Sequence, residues 1–132
     1  MQGFIDRFPM PVSRYTANPA DEIEAANLSI LAQSERSGVG MVRCDRSGDL
    51  FIFNHLEYDA ETLNEEFCRD REAGVDTAIP ENYFPDDDPD CNPVNRWRPY
   101  AFLLFNNWIN EMYQDTPFDL SKVDYEATRQ MK

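Results

Sequence analysis

The spacing of apolar residues changes from about two to about 3.6 near Asp59, dividing the chain into a strand-rich first half and a more helical remainder. Leu28 to Ser34, Val39 to Arg43 and Leu50 to Phe53 read as short strands, punctuated by the turn pairs Ser37-Gly38 and Ser47-Gly48. Ahead of them, Pro19 and the run Asp21 to Ala26 allow one short helical turn, whereas Met1 to Tyr15, rich in proline and aromatics, has no period and is expected to be loop. Beyond Asp59, the positions Ala60, Leu63, Phe67 and Cys68 predict a helix of about four turns, with Asp59 as N-cap and Gly74 as its stop. Glu65 and Arg69 lie four apart on it, the spacing of a weak surface ion pair. A second helix is predicted from Trp97 to Tyr113, its stripe of Trp97, Ala101, Leu104, Phe105, Trp108 and Met112 destined for a core.

The resulting three or four strands and two substantial helices form an incomplete set. So small a sheet, beside so aromatic a helix, implies further strands to cover both. The segment from Gly74 to Pro99 is long, proline-rich and acidic, as functional or interface loops are. Its Asp86-Asp87-Asp88 run is read as a solvated turn and not a calcium loop, because Pro85 and Pro89 bracket it where an EF-hand needs a glycine and a terminal glutamate.

Composition narrows the function classes. At 132 residues, 42% hydrophobic, the chain can fill one domain core and is read as a single unit. Its net charge of −13, from 25 acidic and 12 basic residues, repels nucleic acid and anionic membrane surfaces. The longest apolar runs fall far short of the roughly 20 residues that span a bilayer, and a cytoplasmic location is expected. Cys44, Cys68 and Cys91 are odd in number and lack paired spacing, so they read as reduced thiols without a disulfide framework or a metal. None lies in a setting recognisable as an activated thiolate, and the acidic neighbours of Cys91 should raise its pKa.

The candidate chemistry centres on His55, the only histidine. It follows the strand Leu50 to Phe53, and Glu57 two residues on would project to the same side of an extended segment. A carboxylate beside an imidazole fixes its tautomer and raises its basicity, the arrangement of a general base. Arg69, on the following helix, carries the side chain best suited to a bidentate grip on a carboxylate.

Several long segments in fixed order then carry a resemblance. FNHLEYDAETLNEEFCRD (Phe53 to Asp70), NYFPDDDP (Asn82 to Pro89), NRWRPYAFLLFNNWIN (Asn95 to Asn110) and YQDTPFDL (Tyr113 to Leu120) closely resemble the C-terminal half of the homoserine O-acyltransferases of methionine biosynthesis. The opening GFIDRFPMPVSRYT (Gly3 to Thr16) is similar to the same family's G-F-x-D-x-F-x-x-P-H-S-R-Y segment. The resemblance implies an α/β fold, here the C-terminal part of a class I glutamine-amidotransferase-like, flavodoxin-like three-layer sandwich, in a homodimer. It also implies a Cys-His-Glu triad in which a cysteine takes the acyl group from acetyl-CoA or succinyl-CoA as a thioester and a histidine deprotonates the homoserine hydroxyl. Acyl-CoA is then a co-substrate, and no cofactor is required. By the same resemblance His55 matches the base, Glu57 the triad carboxylate, Arg69 the homoserine-carboxylate residue and Ser13 a substrate-binding serine.

The chain departs from the family pattern in three places. The family's nucleophilic cysteine, and a further substrate-binding lysine, correspond to positions upstream of Met1. Val12 replaces the histidine of P-H-S-R-Y, which alters hydrogen bonding beside Ser13, and NHLE replaces the commoner G-H-P-E while keeping the His-Glu spacing. Because Met1 aligns in mid-protein, residues 1–132 are expected to be a single partial domain, the C-terminal half of the catalytic domain, truncated at its N-terminus and inactive alone. Two other readings share the H-x-E element: a glutamine amidotransferase-like half-domain, and a non-catalytic remnant that binds small amino acids. The segment from Glu57 to Asp70 and the N-Y-F-P and W-R segments resemble the acyltransferases and set the first of these readings aside.

Overall fold

The computed structural model describes residues 2–117 and 119–122. Met1, and Phe118 of the Tyr113 to Leu120 motif, lie outside the described residues. The chain forms a small α/β unit: helix α1 (Ala20–Ala25), strands β1 (Ser29–Ser34), β2 (Gly38–Arg43) and β3 (Leu50–Ile52), then helices α2 (Thr62–Glu72) and α3 (Arg98–Asp115). The three strands pair antiparallel in the order β1-β2-β3.

Each strand boundary has a local cause. Helix α1 starts on an extended Pro19 with Asp21 and Glu22 in the first turn, where they complement the helix dipole, and Asn27 ends it with a φ of 58°, a conformation asparagine tolerates. The β1–β2 hairpin turns through Gly38 at φ 72°, and the β2–β3 turn is closed by Cys44 and Asp49 around Gly48 at φ 78°. Strand β2 is central and buries Val39, Met41 and Val42 completely or nearly so. At Gly40 an added Cβ would lie 2.6 Å from the Asn54 side-chain nitrogen, so only glycine admits that buried amide.

Helix α2 is shorter than its sequence pattern predicts. The Asp59 carboxylate pairs with Arg98 and caps no backbone N–H, so the first regular turn is delayed to Thr62. Its C-terminus is as expected: Gly74 at φ 76° lets the Val75 N–H reach the Asp70 carbonyl at 2.9 Å, the six-to-one bond of a Schellman motif. Helix α3 is capped by the Asn95 side chain, which accepts from the Arg98 N–H at 2.9 Å, with Pro99 in the first turn.

The core gathers Met41, Leu56, Tyr83, Phe84, Trp97 and Leu104. Tyr83 and Phe84 come from the long Gly74 to Pro99 segment, so that segment is partly core and not merely surface. Within it the acidic run caps its own loop: Asp87 accepts from the Asn82 N–H at 2.6 Å and Asp88 from the Asp90 N–H at 3.0 Å. The apolar stripe of α3 divides, contrary to the pattern. Trp97 and Leu104 are buried, whereas Phe105, Trp108 and Met112 are exposed. Arg43 of β2 forms a two-pronged ion pair with Glu111 further along the helix, holding it to the sheet.

Candidate active site

The opening segment is loop, as predicted, yet it is pinned at defined points. Arg14 donates to the carbonyls of Val39 and Ser37, Asn107 donates to the Gln2 carbonyl at 2.8 Å, and Phe8 packs on Tyr100 at 5.2 Å between ring centroids. The His55 N–H donates to the Pro11 carbonyl at 2.9 Å, which brings Ser13 beside the imidazole.

Strand β3 ends at Ile52, so His55 and Glu57 lie just beyond regular strand and still converge. His55 Nδ1 lies 2.8 Å from Glu57 Oε1, and Nε2 lies 3.2 Å from the Ser13 carbonyl. A neutral imidazole has one N–H and faces two acceptors here. The shorter, charge-assisted contact with Glu57 takes that proton on Nδ1, which leaves Nε2 with its lone pair, the tautomer of a base.

Tyr58 stacks on the imidazole, with centroids 4.3 Å apart and planes 20° apart. Its hydroxyl donates to Glu66 Oε1 at 2.8 Å. Burial first, then the bond to Glu66 and the charges of Glu66 and Glu57, push the phenol pKa up to about 12, with the Ser13 hydroxyl acting in the opposite sense. The Tyr58 backbone is fixed from the core, since Trp97 Nε1 donates to its carbonyl at 2.8 Å and Asn95 at 3.3 Å. Sequence reasoning missed Tyr58 and Glu66. The signal was present: Tyr58 follows Glu57 directly, and Glu66 sits one helical turn before Arg69.

Arg69 does not pair with Glu65. Its Nε and Nη2 both reach Asp70 Oδ1, at 2.9 and 2.8 Å, and Asp70 in turn meets the Tyr15 hydroxyl at 3.5 Å, two residues past Ser13. The bond to Asp70 first, then its charge and that of Glu66, hold the guanidinium pKa above its ordinary value. Ser13, His55 and Glu57 thus share one set of contacts that extends through Tyr58 to Glu66, whereas Arg69 belongs to a separate set with Asp70 and Tyr15. A cavity of about 1190 Å³ opens beside Val12 and Asn54, and none of the four residues lines it.

The thiols lie elsewhere. Cys68 bonds the Asn64 side chain and Cys91 that of Asp88. Desolvation and the charge of Asp88 raise the Cys91 pKa, in the direction its acidic neighbours predict. Cys44 differs from expectation: the Ser47 hydroxyl, then the backbone N–H groups of Ser47 and Arg46, lower its pKa.

The family model described as HTS: Homoserine O-succinyltransferase matches residues 1–118. The chain belongs to that family. Among curated relatives, it is 45% identical over 128 residues to a homoserine O-acetyltransferase of Jannaschia sp. (strain CCS1), covering 97% of this chain and 41% of the relative. It is 48% identical over 124 residues to proteins of the same name from Rhizobium leguminosarum bv. trifolii (strain WSM2304), covering 93% of this chain and 40% of the relative, and from Cereibacter sphaeroides (strain ATCC 17025), covering 93% and 41%. The chain spans about two fifths of the length of these relatives. No helix among the described residues is long and apolar enough to cross a membrane.

Proposed function

We propose that the chain supplies the acid-base and homoserine-binding half of a homoserine O-acyltransferase, converting acyl-CoA and L-homoserine to O-acyl-L-homoserine and CoA in methionine biosynthesis. The observation that carries this reading is the imidazole held by Glu57 at Nδ1, in contact through Nε2 with Ser13, in a chain of this family.

A cysteine thiolate outside these 132 residues attacks the acyl-CoA carbonyl, and the CoA thiolate leaves. Nε2 of His55 then takes the proton of the homoserine hydroxyl as that oxygen attacks the thioester. Glu57 stabilises the imidazolium so formed, and the proton passes to the departing cysteine sulfur. Arg69 holds the homoserine carboxylate with the donors that Asp70 leaves unused, and Ser13 contacts the same substrate. The placement of Cys44, Cys68 and Cys91, each bonded away from His55, supports a nucleophile supplied by the remaining part of the domain. That part completes the amidotransferase-like three-layer sandwich and covers the exposed face of α3. The enzyme is a cytoplasmic homodimer with no cofactor beyond its acyl-CoA substrate.

The test is release of free CoA from acetyl-CoA and from succinyl-CoA, with and without L-homoserine. Two proteins are compared: the 132-residue chain, and a chimera in which it replaces the matching 41% of the Jannaschia relative. Homoserine-dependent release by the chimera, and none by the chain alone, is the expected outcome. Robust turnover by the chain alone contradicts an external nucleophile, and a silent chimera contradicts the acyltransferase assignment.

A further inference from the structure

Two departures from the family pattern, valine for histidine at position 12 and asparagine for glycine at position 54, lie far apart in sequence and meet in the structure. The His55 N–H bond to the Pro11 carbonyl, at 2.9 Å, lays the opening segment against the segment that carries the base. Val12 and Asn54 each adjoin one end of that bond, and both line the same cavity. Asn54 is 7% exposed, and its Oδ1 is buried without a hydrogen-bond partner among the described residues. An amide oxygen withdrawn from water and left unpaired is costly, and glycine at this position would remove it. The chain keeps the amide and also the room for it: a Cβ added at Gly40 of β2 would fall 2.6 Å from Asn54 Nδ2 and 3.2 Å from Met10 Cε. On the other side of Asn54 from His55, the Phe53 N–H donates to the Gly40 carbonyl at 2.9 Å. Asn54 is therefore clamped between β2 and the opening segment, immediately before the base.

We propose that Asn54 is a positioning residue for the base, and that Val12 and Asn54 form a coupled pair in which the polar side chain of position 12 in the family pattern has moved to position 54. Wedged onto Gly40, the amide stops residues 53–55 from sliding along β2 and so holds the imidazole against Glu57 and the Ser13 carbonyl. An imidazole at position 12, directly before Ser13, braces the same segment from the opening loop. Either polar side chain suffices, and valine at 12 leaves the task to Asn54. This inference rests on the acyltransferase reading above.

The experiment measures homoserine-dependent CoA release by the chimera carrying N54G, V12H or both, with a thermal melt of each protein. N54G is expected to lower kcat about tenfold and to leave the homoserine KM within about threefold, since the base loses its aim while the amino acid keeps Arg69 and Ser13. V12H alone should leave kcat within about threefold, and V12H added to N54G should bring kcat back to within about threefold of the parent chimera. N54A removes the amide without the added freedom of glycine; it should lose kcat as N54G does, and it replaces N54G if that variant does not fold. Parent-like kcat in N54G or N54A, no recovery in the double variant, or a loss of kcat that only follows unfolding at the assay temperature overturns the inference while leaving the acyltransferase assignment intact. A parent chimera that releases no CoA overturns the assignment and the inference together.

Discussion

Replacing Trp97 by phenylalanine tests whether the core holds the site in place. Trp97 is 4% exposed, packs against Tyr83 and donates through Nε1 to the Tyr58 carbonyl at 2.8 Å. Phenylalanine removes that donor, at a net cost of about 0.5–1.5 kcal/mol, and the Tyr58 carbonyl keeps only the longer bond from Asn95. The smaller ring also gives up roughly 40 Å² of buried surface, about 1 kcal/mol, with a further cavity term where the neighbours do not close in. W97F should therefore lose about 2–3 kcal/mol in urea denaturation followed by circular dichroism. If the carbonyl is the shared partner, N95A should cost about 1 kcal/mol more in the W97F background than alone. The single histidine gives a site-specific readout, because its Cε1–H resonance lies under the Tyr58 ring and should move when Tyr58 is released. A loss below about 0.5 kcal/mol, additive costs and an unmoved resonance would refute the coupling of core to site.

Two further outcomes follow from packing and charge. G40A should cost about 1–3 kcal/mol by denaturation and shift the His55 resonance, since its Cβ displaces the buried Asn54 amide next to His55; a neutral substitution would refute that close approach. For the Arg43–Glu111 pair, the bond from Arg43 holds the Glu111 pKa below its ordinary 4.5. A carboxyl lowered on folding adds stability that is complete above the ordinary value and is lost as pH falls through the folded one. Acid unfolding of E111Q should accordingly depend less steeply on pH below about 4.5 than that of the parent, and equal slopes would contradict the pairing.

The strands, α1, the stop of α2 at Gly74 and the extent of α3 were legible in the sequence because they depend on local pattern and on glycine, proline and asparagine at turns. What was not legible depends on partners distant in the chain. Asp59 looks like an N-cap until Arg98 takes its carboxylate, and the apolar stripe of α3 looks continuous although only Trp97 and Leu104 of it are buried. His55 and Glu57 could be read from spacing two, and the family resemblance supplied Ser13 and Arg69. The choice by Arg69 of adjacent Asp70 over Glu65, and the stacking of Tyr58 on His55 with its bond to Glu66, required the fold. Membership of the homoserine O-succinyltransferase family agrees with the resemblance carried by the long motifs.

The most direct test of His55 as the base is the rate of homoserine-dependent CoA release by the chimera carrying H55A, measured at saturating acyl-CoA and homoserine against the parent chimera. Loss of a positioned general base is expected to slow turnover by about 10²–10⁴-fold with the fold retained by circular dichroism. A folded H55A chimera within tenfold of the parent would contradict the assignment of the His55–Glu57 pair.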